Sequence, residues 1–213
     1  MRVLLTGSSG RIGAVLWPAL AKRHEVVGFD IVPPRASPPG RFVQGDVRDR
    51  RALEAAVPGV DAIAHLAAIP YDIPPLHEVF QVNMVGLYNV LDLAQQYGIK
   101  RVAFTSSVMA FGFGHGAVPQ YLPVDEEHPA LSTDTYGQTK LLGEQLCRAF
   151  TLKHGIQTIC FRLTAAMWPG ERYRTRLPFR NDDEVEGLHC YVDVRDIADA
   201  IDAGWRNYGP GFP

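Results

Sequence analysis

The chain reads Thr6-Gly7-Ser8-Ser9-Gly10-Arg11-Ile12-Gly13 directly after a short apolar run, Val3-Leu4-Leu5. The run predicts a buried strand, and the pattern after the last glycine predicts a helix. Glycines at such a junction permit a tight turn and close backbone approach, while the helix N-terminus offers unpaired N–H groups to an anion. The stretch therefore predicts a turn that cradles the pyrophosphate of a dinucleotide. An ordinary glycine turn between a strand and a helix is the alternative.

Short β-branched runs alternate with longer helical patterns over most of the chain. Several runs are continuously apolar, as expected for parallel strands covered on both faces. This rhythm predicts an α/β fold with a Rossmann-type, doubly wound parallel sheet. The predicted strands are Arg2–Leu5, Val26–Phe29, Phe42–Gln44, Ala62–His65, Val102–Thr105 and Gln157–Phe161, and the predicted helices are Arg11–Lys22, Arg51–Val57, Pro75–Tyr97 and Thr133–His154.

The rhythm changes after Phe161, where a segment rich in Arg, Pro and acidic residues begins. We therefore divide the chain into a cofactor domain, 1–163, and a small C-terminal substrate-binding portion, 164–213, which looks reduced or truncated. Within the second part, 191–198 is expected to be a strand end that enters a final helix.

Composition limits the possible classes of protein. With 213 residues, 46% hydrophobic and 21% charged, the chain resembles ordinary globular domains. A formal charge of −2 gives no electrostatic reason to expect nucleic acid or an anionic membrane as partner. No apolar run approaches the ~20 residues of a membrane helix. Cys147, Cys160 and Cys190 lack metal-ligand spacing, so we expect reduced thiols, a cytoplasmic location and no metal site.

Asp30 ends the second predicted strand, where a carboxylate can accept from the ribose hydroxyls of an adenosine. Its charge repels a 2′-phosphate, which favours NAD over NADP. Arg35 is the nearby cation that would argue for NADP, unless it is a solvated loop residue.

Two further stretches follow predicted strands. Asp46 and Val47 are placed to flank an adenine ring, although Asp46 would serve equally well as a helix cap. Leu66, Ala67 and Ala68 provide small side chains against which a flat dinucleotide can lie, or simply pack a helix on a strand.

Tyr136 and Lys140 lie one turn apart on one face of a predicted helix. A phenol with a pKa near ~10 is a poor base at neutral pH, and a neighbouring ammonium favours the phenolate. Ser107 ends the fifth predicted strand, at the edge where open α/β sheets bind ligands. Its hydroxyl can hold a substrate oxygen while Tyr136 moves the proton; a turn serine is the alternative.

These motifs, in this order, resemble the extended short-chain dehydrogenase/reductases, in particular their NAD-dependent epimerase/dehydratase branch. The resemblance covers nearly the whole chain. The matching residues are Thr6–Gly13, Asp30, Gly45-Asp46-Val47, His65-Leu66-Ala67-Ala68, Asn83, Ser106-Ser107, Tyr136, Lys140 and Tyr191–Ala198.

The resemblance implies residue roles. Tyr136 would be the acid/base, Lys140 would bind the nicotinamide ribose and lower the tyrosine pKa, Ser107 would orient the substrate, and Asn83 would be the structural asparagine of its helix. The predicted cofactor contacts are Gly7, Ser9, Gly10, Arg11, Ile12, Gly13, Asp30, Asp46, Val47, Leu66, Ala67, Ala68, Asn83, Tyr136, Lys140 and Thr164, and the predicted substrate contacts are Ser107, Val108, Ala165 and Arg174.

The chain also departs from the family pattern. Ala165 stands where the nucleotide-sugar enzymes carry an asparagine, and Val108-Met109 lacks the acidic pair of the dehydratases. The arginines at 172, 174, 176 and 180 offer a site for a carboxylate or phosphate, or form a solvated basic loop. The Gly-rich loop around His115 is either a mobile lid or a plain surface loop.

Three functions remain open on the sequence. The first is an NAD-dependent oxidoreductase of a sugar-like small molecule, with sugar dehydrogenase, epimerase and nucleotide-sugar 4-epimerase as its variants. It would form a homodimer through the helices at 75–97 and 133–154. The second is a non-catalytic NAD(P)-sensing or scaffold protein, and the third is a fragment without turnover. Ser107, Tyr136 and Lys140 argue against the second, because a binding module needs no such trio.

Overall fold

A computed structural model describes residues 1–113, 117–168 and 191–207. Its main sheet has six parallel strands in the order β3-β2-β1-β4-β5-β6. The order reverses between β1 and β4, so a crevice opens there at the carboxyl edge, the usual ligand position in this topology. The strands are β1 Arg2–Thr6, β2 Glu25–Asp30, β3 Arg41–Gln44, β4 Ala62–His65, β5 Arg101–Ser107 and β6 Gln157–Leu163.

Helices cover both faces of this sheet, which confirms the predicted doubly wound fold. Apolar side chains of α1 and α6 pack on one face, and those of α2, α4 and α5 pack on the other. The helices are α1 Gly13–Leu20, α2 Arg50–Glu54, α3 Leu76–Phe80, α4 Gly86–Gln96, α5 Thr135–His154 and α6 Val194–Asn207.

Each predicted strand and helix is present, with differences at the ends. Strands β5 and β6 each run two residues further than predicted, to Ser107 and Leu163. The long predicted helix 75–97 is divided into α3 and α4 by one wider π-helical turn, Gln81–Val85. A short 3₁₀ turn, Val108–Phe111, follows β5.

The C-terminal segment also supports the sheet. A small parallel pair forms from β7 Ala165–Met167 and β8 Tyr191–Asp193, and the chain then enters α6, as the sequence predicts for 191–198. Helix α6 packs on α1, and the fully buried Asp202 binds His24 and Arg23 there at 2.9 and 3.0 Å. Part of the predicted substrate portion therefore completes a layer of the cofactor domain.

Candidate active site

The glycine turn lies at the crevice and leaves no space for side chains. Gly7 has a φ of 70°, and a Cβ there would lie 2.7 Å from the Ala67 backbone nitrogen. A Cβ on Gly13 would lie 2.1 Å from the Gly7 carbonyl oxygen. The turn thus folds back on itself and against the end of β4, and only glycine fits at these two positions.

Thr6 and His65 connect the end of β1, where the glycine turn begins, to the end of β4. The sequence did not predict this role. The Thr6 hydroxyl oxygen accepts from the backbone N–H groups of Leu66 and Ala67 at 3.2 and 3.3 Å, so its own hydrogen is free for His65 Nδ1 at 2.8 Å. Burial, with the Lys140 charge, lowers the pKa of His65 to about 3, so the ring is neutral. Thr6 and His65 occupy paired positions on neighbouring strands, which is the signal that could have identified them.

Asp30 joins the end of β2 to the glycine turn. One carboxylate oxygen accepts from the Ser9 N–H at 2.9 Å, and the other accepts from the Val32 N–H at 3.1 Å. The structure therefore brings the predicted ribose ligand beside the predicted phosphate turn. Contact with a ribose remains a prediction.

Buried hydroxyls at this edge suit a polar ligand. Within the described part of the chain, the side-chain oxygens of Ser8, Ser9 and Thr164 are buried without a hydrogen-bond partner. Ser9 and Thr164 are both predicted cofactor contacts, and they come from the glycine turn and from the end of β6. A buried hydroxyl without a partner is costly, so the donor set fits the phosphate and ribose oxygens of a dinucleotide.

Arg11 and Ile12 stand at the start of α1. Ile12 is the cap residue and its side chain gives the helix no hydrogen bond, which suits a position facing an anion. The Arg11 guanidinium lies 4.2 Å from the ring centroid of Trp168, just after β7. Arg11 therefore connects the glycine turn with the C-terminal segment.

Asp46 does not cap a helix, so that alternative was wrong. Helix α2 begins at Arg50, and Asp49 caps it. The Asp46 carboxylate instead accepts from the backbone and guanidinium of Arg48, which lowers its pKa. Val47 is buried against Gly86. The adenine contacts of Asp46 and Val47 stay predictions.

Asn83 has a structural position. Its side-chain oxygen accepts from the Ile69 N–H at 2.8 Å, and its amide nitrogen donates to Ile69 O and to Thr139 Oγ1 at 3.2 and 2.9 Å. These bonds tie the π-helical turn to the loop after β4 and to α5. They favour the structural role over the cofactor contact that was also predicted.

The predicted catalytic side chains come together at the carboxyl end of β5. Tyr136 lies in the first turn of α5, and Lys140 lies one turn later with its Nζ 5.5 Å from the Tyr136 ring centroid. The Lys140 ammonium is buried and donates to Thr105 O at 2.7 Å. Ser107 is also buried, and its hydroxyl oxygen accepts from the Met109 N–H at 3.2 Å.

The pKa of Tyr136 differs from the expectation. Burial raises it to about 12, and a hydrogen bond with the Ser107 side chain opposes this effect. The expected lowering by Lys140 is not found, and the Lys140 ammonium donates to the Thr105 carbonyl. Burial lowers the pKa of Lys140 itself to about 8. The phenol is therefore protonated at neutral pH, which suits a general acid; a nearby positive charge is needed to make it a base.

The predicted substrate contacts are only partly described. Val108 follows Ser107 in the 3₁₀ turn, and Ala165 begins β7 with an exposed side chain. Arg174, the other arginines of its cluster, and His115 lie outside the described residues.

Metal sites and membrane spans are both absent from the described ranges 1–113, 117–168 and 191–207. No three His, Cys, Asp or Glu side chains in them converge as a metal site requires. No helix in them has the length and apolar character needed to cross a bilayer.

Known proteins are similar to this chain in sequence. A family model described as NAD dependent epimerase/dehydratase family matches residues 3–181. Uronate dehydrogenase from Agrobacterium fabrum is 31% identical over 96% of this chain and 79% of its own length. UDP-glucose 4-epimerase from Lacticaseibacillus casei is 26% identical over 100% of this chain but only 64% of its own length.

A solved structure shows the same fold. Uronate dehydrogenase from Agrobacterium tumefaciens, as a tyrosine-to-alanine variant complexed with NAD, is 30% identical with a TM-score of 0.82. The comparison covers 100% of this chain and 74% of that one.

Proposed function

This chain belongs to the NAD dependent epimerase/dehydratase family, and on that premise we propose that it oxidises a free sugar acid of the uronate class. NAD is its cofactor, and it is a sugar-acting oxidoreductase of that family. The observation that carries the proposal is the convergence of Tyr136, Lys140 and Ser107 at the carboxyl end of β5, beside the crevice. This arrangement supports a role for Tyr136 in proton transfer and for Ser107 in orienting a substrate alcohol.

Each residue of the candidate site has a distinct role in the proposed reaction. The Ser107 hydroxyl holds the oxygen of the substrate alcohol, and Tyr136 as phenolate removes its proton. NAD, when bound, would supply the hydride acceptor for the carbon that bears this alcohol, and its positive charge would favour the phenolate. Lys140, whose ammonium donates to Thr105 O one helical turn from Tyr136, would bind the nicotinamide ribose. The glycine turn, Asp30 and the hydroxyls of Ser9 and Thr164 would bind the dinucleotide.

Two features support a free sugar acid over a nucleotide sugar. Ala165 stands where the nucleotide-sugar enzymes carry an asparagine. Its methyl group cannot donate the hydrogen bond that the asparagine amide would give to a sugar nucleotide. The relative with 31% identity is called a uronate dehydrogenase, and a carboxylated substrate suits the arginine-rich segment 172–180.

We expect NADH to appear when the protein and NAD meet a free hexuronate. The kcat/KM for the hexuronate should exceed that for the matching neutral hexose at least about tenfold, because one charge-assisted contact contributes about 1.5–3 kcal/mol. The measurement is absorbance of NADH with a panel of hexuronate, hexose and UDP-glucose. Interconversion of UDP-glucose and UDP-galactose without net NADH would instead establish the epimerase alternative.

We also propose a homodimer through the outer faces of α4 and α5. Val85, Tyr88 and Leu142 are each more than two-fifths exposed there, and the Tyr88 ring contacts Phe150 edge-on. Isolated apolar side chains on a surface are normal, whereas several on two packed helices suit an interface.

Light scattering should give a dimer for the unchanged protein and a monomer for Tyr88→Lys/Leu142→Lys, because two buried charges per protomer would destabilise the interface. Val118→Lys is the matched control, since Val118 is 77% exposed on a loop outside these helices. A monomeric parent protein would refute the proposal.

A further inference from the structure

Helix α5 begins with an unusual pair of carboxylates. Asp134, its N-cap, accepts from the Gly137 N–H at 2.7 Å. Asp72, which belongs to the loop between β4 and α3, accepts from the N–H groups of Thr135 and Tyr136 at 3.1 and 2.7 Å. The first three N–H groups of the helix are therefore all bound by side-chain oxygens. One of the two side chains comes from a distant part of the chain.

The second carboxylate is not needed for an ordinary cap. The first N–H groups of a helix lack internal partners, and one N-cap side chain usually satisfies one of them. Water satisfies the rest in an exposed helix. Asp72 instead connects the loop after β4 to the backbone of Tyr136 itself.

This backbone contact bears on the phenol. The hydroxyl of Tyr136 stands at the far end of a long side chain, so a small rotation at its backbone is magnified at the oxygen. A misplacement of ~1 Å in a catalytic group can cost about 100-fold in rate. The Asn83 bonds to Ile69 and Thr139 hold the same loop against the same helix from the other side.

We propose that Asp72 is a positioning residue, which fixes the start of α5 so that Tyr136 presents its hydroxyl to Ser107 and substrate. This inference rests on the proposed role of Tyr136. Asp72 acts through its two hydrogen bonds and does not touch the reacting atoms. A cap that contributes only stability is the competing explanation.

Asp49 offers a matched control. It is likewise exposed, and it accepts from the N–H groups of Arg51 and Ala52 at 2.9 and 3.2 Å at the start of α2. Asp72→Ala and Asp49→Ala therefore each remove one carboxylate from two helix N–H groups, and both should lower the melting temperature by a few degrees. Only Asp72→Ala should lower kcat, by about 10- to 100-fold, with the KM for NAD within about twofold.

Asp72→Asn separates position from charge. The single amide oxygen can keep the bond from the Tyr136 N–H and loses the one from Thr135. We therefore expect kcat within a few-fold of the parent and an unshifted pH–rate profile. Equal kcat losses in the Asp72→Ala and Asp49→Ala proteins, or no loss in either, would overturn the inference. So would a shifted pH profile in Asp72→Asn, which would point to charge instead of position.

Amide hydrogen exchange tests the contact without a substrate. In Asp72→Ala the peptide that contains Thr135 and Tyr136 should exchange at least about tenfold faster, while that of α2 is unchanged. Unchanged exchange would show that Asp72 does not hold the start of α5. If the parent protein oxidises no sugar acid, the proposed function fails, but this exchange result still decides whether Asp72 holds the helix.

Discussion

Tyr136→Phe is expected to lower kcat by about 10²–10⁴-fold, the usual contribution of a general acid/base. The phenyl ring fills the same space, so NAD affinity should stay within about twofold and the fold should be retained. The change removes only the phenol hydroxyl, which is the group proposed to move the proton. The measurements are NADH formation with a hexuronate and calorimetric titration of NAD.

The pH profile adds an independent check. The phenolate is the proposed base, and burial raises the pKa of Tyr136 to about 12. The parent rate should therefore rise with pH, and this rise should be absent in the variant.

Tyr97→Phe serves as the control for Tyr136→Phe. Tyr97 also loses a side-chain hydrogen bond, to Glu54 at 3.1 Å, but it lies at the end of α4 away from the crevice. Its kcat should match that of the parent. Normal turnover by Tyr136→Phe would remove this mechanism altogether.

The fold was predictable because local patterns specify it. Val3-Leu4-Leu5 is fully buried in the central strand, and the glycines after it permit one tight turn into α1. Such signals need only neighbouring residues. The strand ends were less predictable, because Ser106 and Ser107 are polar and yet buried in β5. Ser106 is compensated by a hydrogen bond to Glu144, which a pattern of hydrophobicity does not reveal.

Site geometry depended on contacts between distant segments. The turn that divides 75–97 into two helices contains Asn83, whose side chain bonds Ile69 in the loop after β4. The choice of Asp49 over Asp46 as a cap depends on the path of the chain after β3. Lys140 is directed to the carbonyl of Thr105, on a neighbouring strand, so its spacing from Tyr136 alone could not give the tyrosine pKa.

Asp30→Asn is expected to reduce the preference for NAD over NADP by about 10- to 100-fold, from a parent that binds NAD more tightly. A carboxylate beside a 2′-phosphate is repelled, and each 1.4 kcal/mol of that repulsion is tenfold in affinity. The amide removes the charge while its oxygen can still accept one of the two N–H bonds, from Ser9 or Val32. Calorimetric titration of both dinucleotides gives the ratio.

Asp30→Ala separates the two roles of this side chain. It also removes the hydrogen bonds that the carboxylate accepts from the Ser9 and Val32 N–H groups. The glycine turn should therefore loosen, and the affinity for both dinucleotides should fall together. Arg35→Ala tests the cation on the following loop: its NADP affinity should equal that of the parent if Arg35 is a solvated loop residue. A parent protein that prefers NADP, with the preference lost in Arg35→Ala, would mean that Arg35, not Asp30, determines which dinucleotide this crevice accepts.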